Sequence, residues 1–130
     1  MKFMMLIVLL TASTLSYGAA KCPANSQMIK ACKSTPKAGD GEIASAVGSI
    51  AICDQANSTI MVLEKDGDSD SGIATVSVRM GGTTYSVVDG DVAVSLSLPT
   101  GTRPAPTTQA RFTISYLKAK VSNTSTFTCK

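Results

Sequence analysis

Apolar and polar residues alternate along most of this chain, which is the pattern expected of half-buried β-strands. In residues 92–98 valine or leucine occupies every second position, and Pro99 ends the run. Residues 112–116 repeat the pattern with Phe112, Ile114 and Tyr116. Similar or shorter β-branched runs predict further strands at residues 28–32, 49–53, 59–64, 75–80, 83–88 and 124–129.

About eight short strands at this spacing predict an all-β domain. We expect a small antiparallel β-sandwich, with a barrel-like arrangement as the alternative. Gly81-Gly82 separates two alternating runs and predicts a hairpin turn, because glycine accepts the positive φ values of such turns. Residues 41–48 have a composition that tolerates helix but are short and bounded by glycines, and no continuous helical pattern is present.

The N-terminal residues have the three parts of a secretory signal peptide. Lys2 is followed by an unbroken apolar run from Phe3 to Leu10, and the small residues Gly18-Ala19-Ala20 come later. The run is shorter than the roughly 20 residues that span a bilayer, which argues against a retained anchor. We therefore predict a signal peptide over residues 1–20 and one domain over residues 21–130, although cleavage after Gly18 or Ala19 also satisfies the pattern.

This leader predicts an exported protein, periplasmic or secreted and of bacterial type, with no transmembrane segment in the mature chain. All four cysteines follow the leader: Cys22, Cys32, Cys53 and Cys129. An even number in an oxidising compartment favours two disulfides, for which three connectivities exist. We prefer Cys32–Cys53 and Cys22–Cys129. A zinc site is disfavoured because the chain has no Cys-x-x-Cys pair and no histidine.

Charge is segregated along the chain. Residues 21–39 and 92–130 carry basic but no acidic side chains, whereas all nine acids lie within residues 40–91. Neither basic segment is dense, and the chain has no tryptophan for base stacking. We therefore expect no nucleic-acid partner.

One acidic segment is a candidate calcium site. Asp66, Asp68 and Asp70 alternate in a polar connection, and calcium prefers several oxygen ligands on such a loop. The segment departs from the EF-hand pattern, which requires glycine where Ser71 stands and glutamate where Ser77 stands. A calcium site in a β context would instead recruit Asp89 or Asp91 from the next acidic turn. The alternative is a polar turn kept soluble by carboxylates. Apart from this calcium site, no cofactor is predicted.

A second segment is a candidate recognition loop. Residues 99–109 are polar and rich in proline, with Arg103, Pro104 and Pro106 at the centre. A stiff loop loses little entropy on binding, and arginine is a frequent interface anchor. The alternative is a connecting loop without a partner.

Catalysis is disfavoured because histidine, the usual general base near neutral pH, is absent. The sequence thus predicts a non-catalytic binding domain that uses loops on a β scaffold to contact an unknown protein or surface ligand. The alternatives are a structural accessory component of the cell envelope that associates through strand edges, and a small calcium-stabilised adhesion module. Hydrolysis by a carboxylate pair that includes Glu64 is the remaining, least favoured hypothesis.

Overall fold

The computed structural model describes residues 19–54, 57–100 and 107–130, which are almost entirely β. Within these ranges nine strands and one short helix occur in the following order: β1 (Gln27–Ser34), α1 (Glu42–Ser45), β2 (Val47–Asp54), β3 (Ser58–Glu64), β4 (Ser69–Ile73), β5 (Thr75–Arg79), β6 (Gly82–Asp89), β7 (Val92–Pro99), β8 (Thr108–Tyr116) and β9 (Val121–Cys129). The all-β prediction is confirmed.

The strands form one antiparallel sheet in the order β4-β3-β2-β1-β9-β8-β7-β6-β5. The two edge strands are consecutive in the chain and only Ala74 separates them. β4 pairs with β3, whereas β5 pairs with β6. One extended segment therefore connects the two sides of the sheet, and the sheet curls into a nearly closed barrel rather than the preferred two-sheet sandwich.

β4 was not predicted as a strand, since residues 66–70 have the composition of a polar turn. These residues form a strand because they pair with β3, where Leu63 lies opposite Ser69 and Thr59 lies opposite Ile73. One inward position of β4 is Gly72, where an added Cβ would lie 2.6 Å from a methyl group of Val87 on β6. Glycine at this position allows the two sides of the barrel to approach each other.

The predicted glycine hairpin is present, with its turn shifted by one residue. Arg79 pairs with Gly82, so Met80 and Gly81 form the turn. Gly82 belongs to β6 and has a φ of 147°. A Cβ there would overlap the carbonyl oxygen of Leu98, so this strand position requires glycine for backbone conformation and for space.

Alternation directs one side chain in two toward the barrel interior. Phe112 and Phe127 are fully buried there and pack edge to face with their ring centroids 5.5 Å apart. Ile50, Ile52 and Leu96 are also fully buried. These residues form the main core.

The structure contains disulfides Cys22–Cys53 and Cys32–Cys129, so the preferred pairing was wrong. Cys32 and Cys129 lie directly opposite each other on β1 and β9 and both belong to the main core. Cys53 belongs to a smaller cluster with Ala20 and Ala51. Because Cys32 and Cys53 point to opposite faces of the sheet, they cannot bond to each other.

The segment between β1 and β2 closes part of one barrel end. Within it, the backbone N–H of the fully buried Ala44 donates to the Asn123 side-chain oxygen at 2.7 Å. The hydroxyl groups of Ser45 and Ser125 are 2.8 Å apart. These contacts hold α1 against the inner surface of β9. Within the described ranges, no helix is long and apolar enough to cross a membrane.

Candidate functional site

The barrel interior contains a cavity of about 500 Å³ at the end where α1 lies. Its volume falls in the range of ligand pockets, about 300–1,000 Å³. The cavity is lined by Ile43, Ala46, Val47, Ile60, Val62, Glu64, Asp70, Ser71, Gly72, Val87, Asp89, Val92, Val94, Phe112, Ile114 and Tyr116. Most of these residues are apolar.

Strand register arranges one wall of the cavity in rows across β6, β7 and β8. The middle row contains Val87, Val94 and Ile114, which are partnered across the strands. Below it lies a buried row formed by Tyr85, Leu96 and Phe112.

The outermost row of that wall contains Asp89, Val92 and Tyr116. The wall is therefore apolar in its depth and becomes polar only in this last row.

The facing wall shows the same change from apolar to acidic. On β3, Ile60, Val62 and Glu64 occupy alternate inward positions, and Val62 is paired with Asp70 on β4. Glu64, Asp70 and Asp89 thus lie on three different strands and all line the cavity. We call these three carboxylates the acidic rim.

The acidic rim has few compensating interactions. No lysine or arginine is among the residues that line the cavity. In the part of the chain that the structure describes, the one ion pair is Arg111–Asp40, and no hydrogen bond involves the carboxylate of Glu64 or Asp89. Asp70 accepts a hydrogen bond from the backbone N–H of Ser71 at 2.8 Å. The rim therefore presents negative charge to the cavity.

Partial burial raises the pKa of Glu64, and the charges of Asp66, Asp68 and Asp70 raise it further. Carboxylate oxygens of Glu64, Asp66 and Asp68 lie within 4.8 Å of one another. This group differs from the predicted calcium ligands, because it includes Glu64 in place of Asp70. Within the turn, Asp66 accepts a hydrogen bond from the backbone N–H of Asp68 at 3.0 Å. The calcium site stays a prediction.

Asp40 is an acid of a different kind, because it stabilises the segment that carries α1. Its carboxylate accepts hydrogen bonds from the backbone N–H groups of Lys37 and Thr126 and lies 3.3 Å from the Arg111 guanidinium. The Lys37 N–H is the main group that lowers the pKa of Asp40 to about 2, with contributions from Thr126 and Arg111 that outweigh partial burial. Asp40 is thus a structural carboxylate.

The candidate recognition residues Arg103, Pro104 and Pro106 lie outside the described residues. Sequence reasoning identified Asp70 as a turn residue and missed the cavity. A signal was present: Glu64 and Asp89 continue the inward alternation of Ile60–Val62 and Tyr85–Val87. An acid at the end of an apolar face indicates a polar mouth, but only the barrel topology brings these strand ends together.

No family model, curated protein or solved structure matches the chain. The two disulfides are compatible with an oxidising extracellular compartment.

Proposed function

We propose that this protein is an exported, non-catalytic binding protein that holds a small, mainly apolar ligand inside its barrel. The observation that carries the proposal is the cavity of about 500 Å³ lined by Val62, Val87, Val94 and Ile114. Antiparallel barrels of about eight strands have an interior wide enough for one small ligand. The proposed binding site is therefore the barrel interior, whereas the sequence pattern pointed to loops on the β scaffold.

The cavity is partly open to solvent and is much larger than the voids of an ordinary protein core. Protein interiors are close-packed and have few voids larger than a water molecule. The rows that line the cavity use valine at positions 87, 92 and 94, where leucine or phenylalanine would fill the space. The next row inward, at Leu96 and Phe112, has large side chains and is fully buried. Barrel closure therefore does not in itself require a cavity.

Export and the absence of catalysis belong to the same proposal. The signal-like pattern of residues 1–20 and the two disulfides support an exported protein. A chain without histidine has no general base of the usual kind at neutral pH, which favours binding over catalysis.

The test is titration of the purified oxidised protein with N-phenylnaphthylamine, a neutral apolar dye that fluoresces on entering an apolar site. We expect saturable binding that Val87→Phe weakens by at least roughly tenfold, or 1.4 kcal/mol, because the ring occupies the cavity. Val88→Phe is the matched control. Val88 is the next residue of the same strand, faces outward and is 67% exposed.

Equal loss of dye binding in both variants, or no saturable binding by the wild-type protein, contradicts the proposal. If Val87→Phe fails to fold, Val94→Phe provides a second block from the neighbouring strand. Thermal unfolding of each variant separates a blocked cavity from a lost fold.

A second candidate function is self-association through a strand edge, as a structural component of the envelope. Among the described residues, β5 is an edge strand that pairs with β6 alone. In the hairpin that contains β5, the side chain of Val78 is 75% exposed and that of Met80 is fully exposed. Two copies of β5 can pair antiparallel about a twofold axis, since an exposed strand edge accepts another strand.

Sedimentation over a range of protein concentrations tests this candidate. Val78→Lys should shift the protein toward monomer and leave dye binding unchanged. A wild-type protein that stays monomeric at high concentration contradicts self-association.

A further inference from the structure

The acidic rim restricts the kind of ligand that the cavity accepts. Three carboxylates line the cavity, and none of the residues that line it is a lysine or arginine. An anionic group at the mouth would meet uncompensated negative charge on both walls. A neutral ligand would leave that charge unneutralised, whereas a cation would neutralise part of it.

Glu64 and Asp70 end one wall, and Asp89 ends the other. A ligand that fills the valine-lined interior therefore places its outer end between carboxylates. Tyr116 lies in the same row as Asp89 and adds an aromatic ring, whose face attracts cations. The cavity thus combines an apolar interior with a mouth suited to a positive charge.

The basic side chains at this barrel end belong to turns. Lys65 follows β3, and Lys118 and Lys120 lie in the turn between β8 and β9. None of the three lines the cavity. In the described part of the chain none forms an ion pair with Glu64, Asp70 or Asp89. Glu64 also lines a second cavity together with Lys33, Lys65 and Lys130. In the described ranges no lysine is paired with Glu64, so the charge of the rim is available to a ligand.

We infer that the ligand is an amphiphilic organic cation whose apolar part occupies the barrel interior while its ammonium group lies among Glu64, Asp70 and Asp89. This inference rests on the proposed binding function and narrows it to one ligand class. Attraction between an ammonium group and several carboxylates adds to the burial of the apolar part, more at the partly buried Glu64 than at the exposed Asp70 and Asp89.

The experiment compares three probes with the same eight-carbon chain: octylammonium, octanol and octanoate. Each displaces N-phenylnaphthylamine from the oxidised wild-type protein at neutral pH and low salt. We expect octylammonium to bind roughly tenfold more tightly than octanol, and octanoate to bind most weakly. The preference should shrink as salt is added, because salt screens partly exposed charges.

Neutralising the rim tests the assigned residues. In Glu64→Gln/Asp70→Asn/Asp89→Asn, octylammonium should lose its advantage while octanol affinity stays within about twofold of wild type. The unchanged octanol affinity shows that the cavity has survived. Asp54→Asn is the control for net charge, since Asp54 is an exposed acid at the far end of β2, and it should preserve the advantage of octylammonium.

The outcomes separate the two proposals. Dye binding that Val87→Phe removes, with octanol equal to or tighter than octylammonium, overturns the cationic ligand and leaves the binding function standing. An octylammonium advantage that persists in the triple variant also overturns the role of the rim. Absence of saturable dye binding overturns both.

Discussion

The two ends of the barrel interior share one sheet and one alternation of side chains but differ in how they are filled. At the packed end, Phe112 and Phe127 pack edge to face, and the Cys32–Cys129 disulfide belongs to the same buried cluster. At the cavity end, valines replace large side chains and the inward positions finish in carboxylates such as Glu64 and Asp89. The same backbone arrangement thus serves packing at one end and an accessible site at the other.

This difference separates stability from function within the fold. Burial of large apolar side chains and a long-range disulfide stabilise the packed end. The cavity end gives up packing contacts and keeps like charges close together, both of which reduce stability. Such a cost is common at functional sites.

The largest expected effect comes from removing the core disulfide. Cys32–Cys129 joins residues 97 positions apart, and a crosslink that closes a loop of about 100 residues stabilises by about 4.7 kcal/mol in the chain-entropy model. Cys22–Cys53 spans 31 positions and should contribute about 1 kcal/mol less. Urea unfolding of Cys32→Ala/Cys129→Ala and Cys22→Ala/Cys53→Ala measures both, and a larger loss in the second variant would reverse the expected order.

The next largest effect on stability is expected at β7, which carries one residue of the packed end and one beside the cavity. Leu96→Ala at the packed end should cost about 2–5 kcal/mol, because it opens a cavity in close-packed surroundings. Val94→Ala, two residues away and already beside the cavity, should cost about 1 kcal/mol. Chemical denaturation of both variants gives the free energies of unfolding. Equal costs would mean that the two ends are equally well packed.

Asp40, in the segment between β1 and β2, should have a smaller effect on stability that depends on pH. Its pKa falls from an ordinary 3.8 to about 2 on folding, so its stabilisation is present above pH 3.8 and disappears as the pH falls through 2. Asp40→Asn should lower the thermal midpoint at neutral pH, and the gap from wild type should narrow in acid. A gap that is constant with pH would assign the loss to the changed side chain rather than to its charge.

Glu64, at the cavity end, should change stability with pH in the opposite direction to Asp40. Its pKa is raised on folding from an ordinary 4.5, so the protein binds this proton more readily when folded and loses stability as the pH rises through the folded value. Glu64→Gln should therefore raise the thermal midpoint slightly at neutral pH, with no gain below pH 4.5. A lower midpoint at neutral pH would show that the Glu64 charge is compensated in the folded protein.

The sequence by itself determined the all-β class, because alternation and β-branched residues are local signals that survive without a partner strand. It also predicted the hairpin near Gly81 and the presence of two disulfides. It did not predict β4, because residues 69–73 have little apolar character of their own and become a strand through pairing with β3. Local propensity cannot supply a hydrogen-bonding partner.

Tertiary structure alone decided the disulfide pairing, the barrel and the cavity. Cys129 meets Cys32 because β9 pairs with β1, a contact between chain segments far apart in sequence. Glu64, Asp70 and Asp89 form one rim because the segment through Ala74 connects the two sides of the sheet. The physical reason is common to all three features: each depends on which strands become neighbours, and strand alternation fixes the face of a residue but not the residue across from it.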